Sequence, residues 1–299
     1  MSSTHGITRA DMQAVNLPRR RVVNRLMEGL ATLSALIAVA ALVVVVWSVA
    51  RRGAPALNLD LITKTPVQFA IGPVKQGLAN AFAGSVVLVG LATLMTVPIG
   101  ILIAVYLTEF AAPSVRYTVS LALDVLNGIP AIVVAIFVYG LVVVGHGQSG
   151  WAGAFALACL MLPLVTRSTM EVLLLVPSSL REASLGLGVP RWRTTLSIVL
   201  PQTLGGIVTS TVLAVARVAG ETAPLLFTSS LVGQNVSWAP NHALQSIPVA
   251  IYELSESPDP ADHARAWAAA LVLLLFILFT SLSARWLATR GRRRLSTAR

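Results

Sequence analysis

Six apolar runs, each about 20 residues long or longer, follow one another along the chain with shorter polar segments between them. They lie near residues 29–49, 82–107, 121–145, 151–175, 203–227 and 267–288. Helices of this length match a bilayer hydrocarbon core about 30 Å thick. Backbone groups in lipid must also be hydrogen-bonded within the protein, which favours helices. The pattern therefore predicts an all-α integral membrane protein with six transmembrane helices.

Composition supports the same class. Of the 299 residues, 56% are hydrophobic and 11% are charged, and the mean hydropathy is +0.78. An average soluble domain has about 25% charged residues, so a soluble globular protein is excluded, and a chain this apolar is not disordered. The single cysteine, Cys159, excludes a disulfide framework and a cysteine-based metal centre.

The formal net charge is +10, and arginines supply most of the basic residues. They cluster before the first apolar run, at Arg19, Arg20, Arg21 and Arg25, and after the last run, at Arg290, Arg292, Arg293 and Arg294. Basic clusters that flank membrane spans usually mark the cytoplasmic side. We therefore expect both termini in the cytoplasm and contact with membrane lipids, and we expect no nucleic-acid partner.

These features divide the chain into three parts. We expect a basic cytoplasmic tail at residues 1–28, a transmembrane domain at 29–288 and a second basic tail at 289–299. The tails are short and polar, whereas the central part contains all six apolar runs.

Three segments between the runs are long. Residues 51–80 are expected to form an irregular external loop, 176–200 a cytoplasmic segment, and 229–266 a second external segment. The second external segment carries four carboxylates, at Glu253, Glu256, Asp259 and Asp262.

The cytoplasmic segment contains a short predicted helix. Ser179 and Glu182 have the spacing of a capping box, and Gly186, Gly188 and Pro190 are typical of a helix end. The helical period places four small or apolar residues on one face, namely Leu180, Ala183, Ser184 and Leu187. This face fits either a groove on a partner protein or the lipid headgroups, where a short amphipathic helix can also lie.

Two pairs of opposite charges lie inside the apolar runs. Arg217 precedes Glu221 by four residues near the middle of the fifth run, and Arg167 precedes Glu171 by four in the fourth run. An arginine at the centre of a membrane helix costs about 2.5–3.5 kcal/mol on insertion scales, so it faces the bundle interior or a wet cavity. Residues four apart on a helix can form an ion pair, which would make these pairs structural. Alternatively, the guanidinium groups bind an oxyanion on a transport pathway.

Motifs for catalysis are missing from the sequence. It contains no HExxH, no CxxC, no Walker A sequence and no GxSxG elbow. His146 and Ser149 lie in a glycine-rich turn without an acidic partner. The sequence therefore predicts a protein that is not an enzyme.

Glu182, Ala183, Ser184, Gly188 and the Leu200-Pro201 pair resemble the EAA-type loop in permease subunits of binding-protein-dependent ABC importers, with Ser184 in place of the usual second alanine. Residues 216–228 resemble more closely the phosphate permeases of PstA type. Further similar stretches lie at residues 77–81, 149–153 and 176–183.

The resemblance implies a MetI-like permease core in the bacterial cytoplasmic (inner) membrane with a cytoplasmic EAA-type coupling helix. It also implies a heterodimer with a PstC-type permease, two nucleotide-binding ATPase subunits that hold ATP and Mg, and an extracytoplasmic protein that delivers inorganic phosphate. No cofactor is expected on this chain. The residues implied for the substrate pathway are Arg217, Glu221, Thr222 and Arg167. The residues implied for ATPase coupling are Glu182, Ala183, Ser184, Leu187 and Gly188.

Two alternatives remain from the sequence. A permease for sulfate or molybdate would need the same coupling loop and could use the same arginines. A membrane subunit that signals phosphate status without conducting it could also keep the loop.

Overall fold

The computed structural model describes residues 17–67, 76–230, 233 and 235–296, with the backbone alone at both ends of this range. Most of the predicted N-terminal tail and the last three residues lie outside the described residues. The first unit of the protein is helix α1 up to Arg51, and the described residues from Arg52 onward form the second unit.

The described residues form α-helices joined by short turns. In chain order they are α1 (Leu17–Gly53), α2 (Leu59–Thr63), α3 (Ala79–Val105), α4 (Pro113–Gly128), α5 (Ala131–Val138), α6 (Gly150–Leu174), α7 (Ser178–Gly186), α8 (Arg191–Thr194), α9 (Leu200–Val218), α10 (Ala223–Thr228), α11 (Ile247–Ser255) and α12 (Pro260–Ser296).

Five helical stretches are long and apolar enough to cross a membrane, and a bent pair of helices could form a sixth span. The five are Arg19–Ala56, Ala79–Phe110, Gly150–Leu174, Arg191–Val218 and Pro260–Trp286. The all-α membrane architecture predicted from the sequence is therefore confirmed.

The third predicted span is not one straight helix. Helices α4 and α5 meet at an angle of 97°, so the prediction of a continuous helix over residues 121–145 is wrong. Pro130 lies at the break and has no backbone N–H to donate, and it disfavours helical geometry at Ile129, whose ψ is 130°.

The fifth span is displaced from its predicted position at residues 203–227. Its helical stretch starts earlier, at Arg191, and ends at Val218, and the chain then turns before α10. Gly220 lies in this turn, and Pro224 is in the first turn of α10, where its missing N–H costs no helical bond.

The two segments that were predicted to be external contain more helix than the sequence indicates. The first includes α2, and the second includes α11 and the first turns of α12. The prediction of an irregular loop over residues 51–80 is therefore wrong for α2 and for the last turn of α1, and the sixth span starts before residue 267.

The core of the second unit is centred on α3 and α6, which pack along each other. Small residues allow the close approach: Ala92 is fully buried, Gly100 faces Val165, and Gly153 faces Leu88. A second apolar cluster packs the C-terminal ends of α3 and α6 together and includes Ala104 and Leu173.

Candidate functional site

Arg217 and Glu221 line a small cleft of about 90 Å³, which we call the Arg217 cleft. Its full lining is Leu126, Asn127, Ile129, Ala131, Leu160, Leu164, Arg217, Val218 and Glu221. Six of these residues come from α6 and from the region around the break between α4 and α5. The broken span and the end of α9 thus form the cleft together.

The predicted ion pair between Arg217 and Glu221 is not formed: no hydrogen bond or salt bridge joins these two side chains, both of which are described. Because α9 ends at Val218, Arg217 lies in its last turn rather than near the middle of a span, and Glu221 lies beyond the helix. A spacing of four places two side chains on one face only while the helix continues. Thr222 is the N-cap residue of α10, next to Glu221, but its side chain makes no capping hydrogen bond.

Arg167 has a different carboxylate partner from the predicted one. Its guanidinium binds Asp124 of α4 through two nitrogens, with Nε donating to Oδ1 over 2.8 Å, rather than Glu171 on its own helix. The sequence analysis did not single out Asp124, although an aspartate inside an apolar run was a signal of its own. Arg167 is not part of the lining of the Arg217 cleft.

Helix α7 begins two residues earlier than a capping box at Ser179 and Glu182 requires. Pro177 occupies the N-cap position, and no side chain caps the helix, so the predicted role of Ser179 and Glu182 as a capping box is wrong. The fixed φ of proline suits a helix start, and it moves Ser179 into the first turn. The predicted helix end is confirmed, because Gly188 adopts a φ of +78° just after α7.

The four residues predicted to share one face of α7 are divided between two environments. Ser184 is buried, and its hydroxyl is 2.8 Å from the hydroxyl of Thr194 in α8. Leu180, Ala183 and Leu187 are exposed, and Leu187 reaches 84% exposure. Glu182 is exposed beside them. The exposed surface of α7 therefore includes these three apolar side chains and one carboxylate, and Ser184 is not part of it.

Arg181 connects α7 to two membrane-spanning helices. Its Nη2 donates to Glu109 Oε1 over 2.9 Å and to the carbonyl oxygen of Leu173 over 2.9 Å, and Nη1 donates to the carbonyl oxygen of Val176 over 2.6 Å. Glu109 lies in the π-helical turn that extends α3 to Phe110. Neither Arg181 nor Glu109 was predicted from the sequence as a site residue.

Hydrogen bonds and an ion pair hold two of the four carboxylates in the segment before and at the start of α12. Gln245 donates to Glu253 over 2.5 Å and accepts a hydrogen bond from Asn80, near the start of α3, over 2.7 Å. Burial raises the pKa of Glu253; the hydrogen bond from Gln245 opposes the rise, and the nearby Asp262 adds to it. Asp262 pairs with Arg265 on α12.

A sequence model of one protein family matches residues 96–293, which is most of the second unit. The family is described as the binding-protein-dependent transport system inner membrane component. The match includes the Arg217 cleft, α7 and Arg181.

Curated relatives extend the similarity to nearly the whole chain. The phosphate transport system permease protein PstA of Haemophilus influenzae is 42% identical over 263 residues, which cover 87% of this chain and 91% of the relative. The corresponding protein PstA 1 of Mycobacterium tuberculosis is 39% identical over 289 residues, which cover 92% of this chain and 91% of the relative.

Solved structures show the same fold at lower identity. A bacterial alginate ABC transporter in complex with its alginate pentasaccharide-bound periplasmic protein aligns with a TM-score of 0.61 and 17% identity, covering 91% of this chain and 96% of that chain. The inward-facing MetNI methionine ABC transporter aligns with a TM-score of 0.55 and 17% identity, and the alignment covers 71% of this chain and 93% of that chain. On the family match and the curated relatives together, this chain belongs to the binding-protein-dependent transport system inner membrane components, and within them to the PstA group.

Proposed function

We propose that this chain is a transmembrane permease subunit of an ATP-driven importer of inorganic phosphate. The observation that carries the proposal is the similarity, over about nine-tenths of the chain, to relatives named phosphate transport permeases. The Arg217 cleft supports an anionic substrate, because its guanidinium is exposed and no carboxylate among the described residues pairs with it.

In this proposal, Arg217 attracts phosphate into the path, and the nearby Glu221 and Thr222 limit how tightly it is held. Conduction requires a site that binds its ion weakly enough to release it. Arg167 acts further along the path, where its pairing with Asp124 reduces its attraction for an anion. The break between α4 and α5 supports a route for a polar solute, since non-helical backbone at membrane depth is tolerated where it lines a cavity.

We propose that α7 is the coupling helix that contacts a nucleotide-binding subunit. Its exposed residues, which include Glu182, Ala183 and Leu187, would contact a groove on that subunit, while Ser184 holds the helix against α8. Gly188 lets the chain turn directly after the helix. ATP and Mg would be held by two such subunits, a PstC-type permease would complete the path, and an extracytoplasmic binding protein would deliver phosphate. Both termini of this chain would lie in the cytoplasm.

The proposal is tested by uptake of radiolabelled phosphate into proteoliposomes that contain this chain with its partner permease, ATPase and binding protein. We expect uptake that needs ATP and all four components and that excess sulfate does not inhibit. Sulfate uptake in place of phosphate uptake would make the substrate class wrong.

The role of Arg217 is tested in the same vesicles with Arg217→Gln. We expect at least about a tenfold loss of uptake with the complex still assembled, since a hydrogen bond to a charged group contributes about 1.5–3 kcal/mol. Arg116→Gln is the matched control, because Arg116 is a half-buried arginine of α4 that lies outside the cleft. Unchanged uptake by Arg217→Gln would contradict the pathway role.

A further inference from the structure

A cavity of about 290 Å³ separates α7 from the cytoplasmic ends of the membrane-spanning helices, and we call it the α7 cavity. It is lined by Thr108, Glu109, Leu174, Arg181, Leu185, Arg191 and Thr194. Side chains therefore do not fill the space between α7 and the ends of α3 and α6. A displacement of α7 cannot be passed to those helices through continuous apolar packing at this place.

The Glu109–Arg181 ion pair bridges that space. The side chain of Glu109 is 9% exposed and that of Arg181 is 22% exposed. The guanidinium donates to the carboxylate from both Nε and Nη2, so the pair has two-point geometry. Charge-assisted bonds of this kind are strong and directional, and they fix the orientation of the two groups as well as their distance.

Arg181 also holds the end of α6. The carbonyl groups of Leu173 and Val176 lie at and just beyond the last turn of α6, where helix carbonyls have no partner within the helix. One side chain of α7 is thus bonded both to the end of α3 and to the end of α6. A further side-chain hydrogen bond of α7, between the hydroxyls of Ser184 and Thr194, leads to α8 instead.

We infer that the Glu109–Arg181 ion pair is the joint that passes movement of α7 to α3 and α6 during transport. This inference rests on the proposed function, in which the ATPase moves α7. From the joint, α6 runs to the Arg217 cleft, where Leu160 and Leu164 form part of the lining. The same two helices are the packed centre of the unit, so a displacement at their cytoplasmic ends reaches the cleft through packed side chains. Glu109 and Arg181 are positioning residues and do not contact the substrate.

The test is the ratio of phosphate taken up to ATP hydrolysed by the complete complex in proteoliposomes. Glu109→Gln keeps the size of the side chain and leaves Arg181 bonded to the α6 carbonyl groups, so it weakens only the link to α3. We expect the ratio to fall at least about fivefold, the lower end of the usual range for coupling between sites, with ATP hydrolysis and assembly retained. A residue that only stabilises the fold would lower uptake and hydrolysis together.

The double variant Glu109→Leu/Arg181→Met removes both charges, and apolar replacement of a buried ion pair often leaves stability unchanged. We expect this variant to assemble. We also expect its ratio of phosphate taken up to ATP hydrolysed to fall as it does in Glu109→Gln. Arg191→Gln is the control, because Arg191 lines the same cavity and its side chain does not bond to Glu109. We expect its ratio to stay within about twofold of the unmodified complex, well short of the coupling range.

Three results would overturn the inference that this ion pair is the joint. They are an unchanged ratio in either variant, an equally large fall of the ratio in Arg191→Gln, and failure of both variants to assemble while the control assembles. An unmodified complex that hydrolyses ATP but takes up no phosphate would instead defeat the proposed function. The two failures are therefore distinguishable.

Discussion

Charged residues inside the membrane domain take partners that their spacing along the chain does not indicate. Arg167 binds Asp124, 43 positions away, and Arg181 binds Glu109, 72 positions away. The spacing of four between Arg167 and Glu171 is compatible with an ion pair, but the two-nitrogen bond to Asp124 forms instead. Sequence identifies Arg167 as a candidate because a charge in an apolar run needs a partner, but it does not indicate which partner. Arg181 lies outside the apolar runs, so this signal does not apply to it.

At Glu253, burial leads to a pH-dependent stability. The raised pKa means that the folded chain holds a proton at this carboxyl more readily than the unfolded chain does. The contribution of Glu253 to the free energy of unfolding is therefore complete below its ordinary pKa of 4.5 and is lost as the pH rises through the raised value. We expect Glu253→Gln to have a higher thermal midpoint than the parent at pH 7. The difference between the two midpoints should become smaller as the pH falls towards 4.5.

The measurement is thermal unfolding of the purified protein in detergent between pH 4.5 and 8. Glu256→Gln is the control, because Glu256 is exposed just after the same helix. A stability difference between Glu253→Gln and the parent that does not change with pH would contradict the prediction.

The approximate position of the long helices is the property that the sequence predicted best, and helix continuity is the one that it predicted worst. The apolar runs locate five long helices and the broken span, since hydropathy over 20 residues is a local property. The break at Pro130 and the end of α9 at Val218 were missed, because both lie inside runs whose average hydropathy is high over about 20 residues. Both features shape the Arg217 cleft, because the cleft forms where α4 and α9 end.

Two adjacent glycines of α9 give a test of helix packing. A Cβ atom at Gly206 would lie 2.6 Å from Val172 Cγ1 of α6, whereas a Cβ atom at Gly205 meets nothing within 4 Å. We expect Gly206→Ala to destabilise the protein by about 1 kcal/mol or more through overpacking against a stiff β-branched side chain. Gly205→Ala is expected to stabilise it by up to about 1 kcal/mol through helix propensity.

Thermal unfolding in detergent at one pH measures both glycine variants against the parent. Equal effects at the two positions would show that α9 and α6 do not pack as described.

For the whole molecule, the proposed orientation places α7 in the cytoplasm and the turn before α12 outside. Ser179 lies on α7, and Ser257 lies between α11 and α12. In a Cys159→Ser background, we expect Ser257→Cys to react with a membrane-impermeant maleimide on intact spheroplasts. We expect Ser179→Cys to react only after the membrane is opened. The reverse labelling pattern would place the basic ends outside and would contradict the positive-inside argument.

The sequence by itself determined that this chain is an all-α membrane protein, roughly where its spans lie, and where α7 ends. Those properties depend on local hydropathy and on single residues such as Gly188, whose positive φ favours glycine. Only the tertiary structure decided which side chains meet: the Arg217 cleft, the Arg167–Asp124 pair and the Glu109–Arg181 pair. Each brings together residues from helices far apart in the sequence, and their contact depends on how those helices end and pack, which no local pattern records.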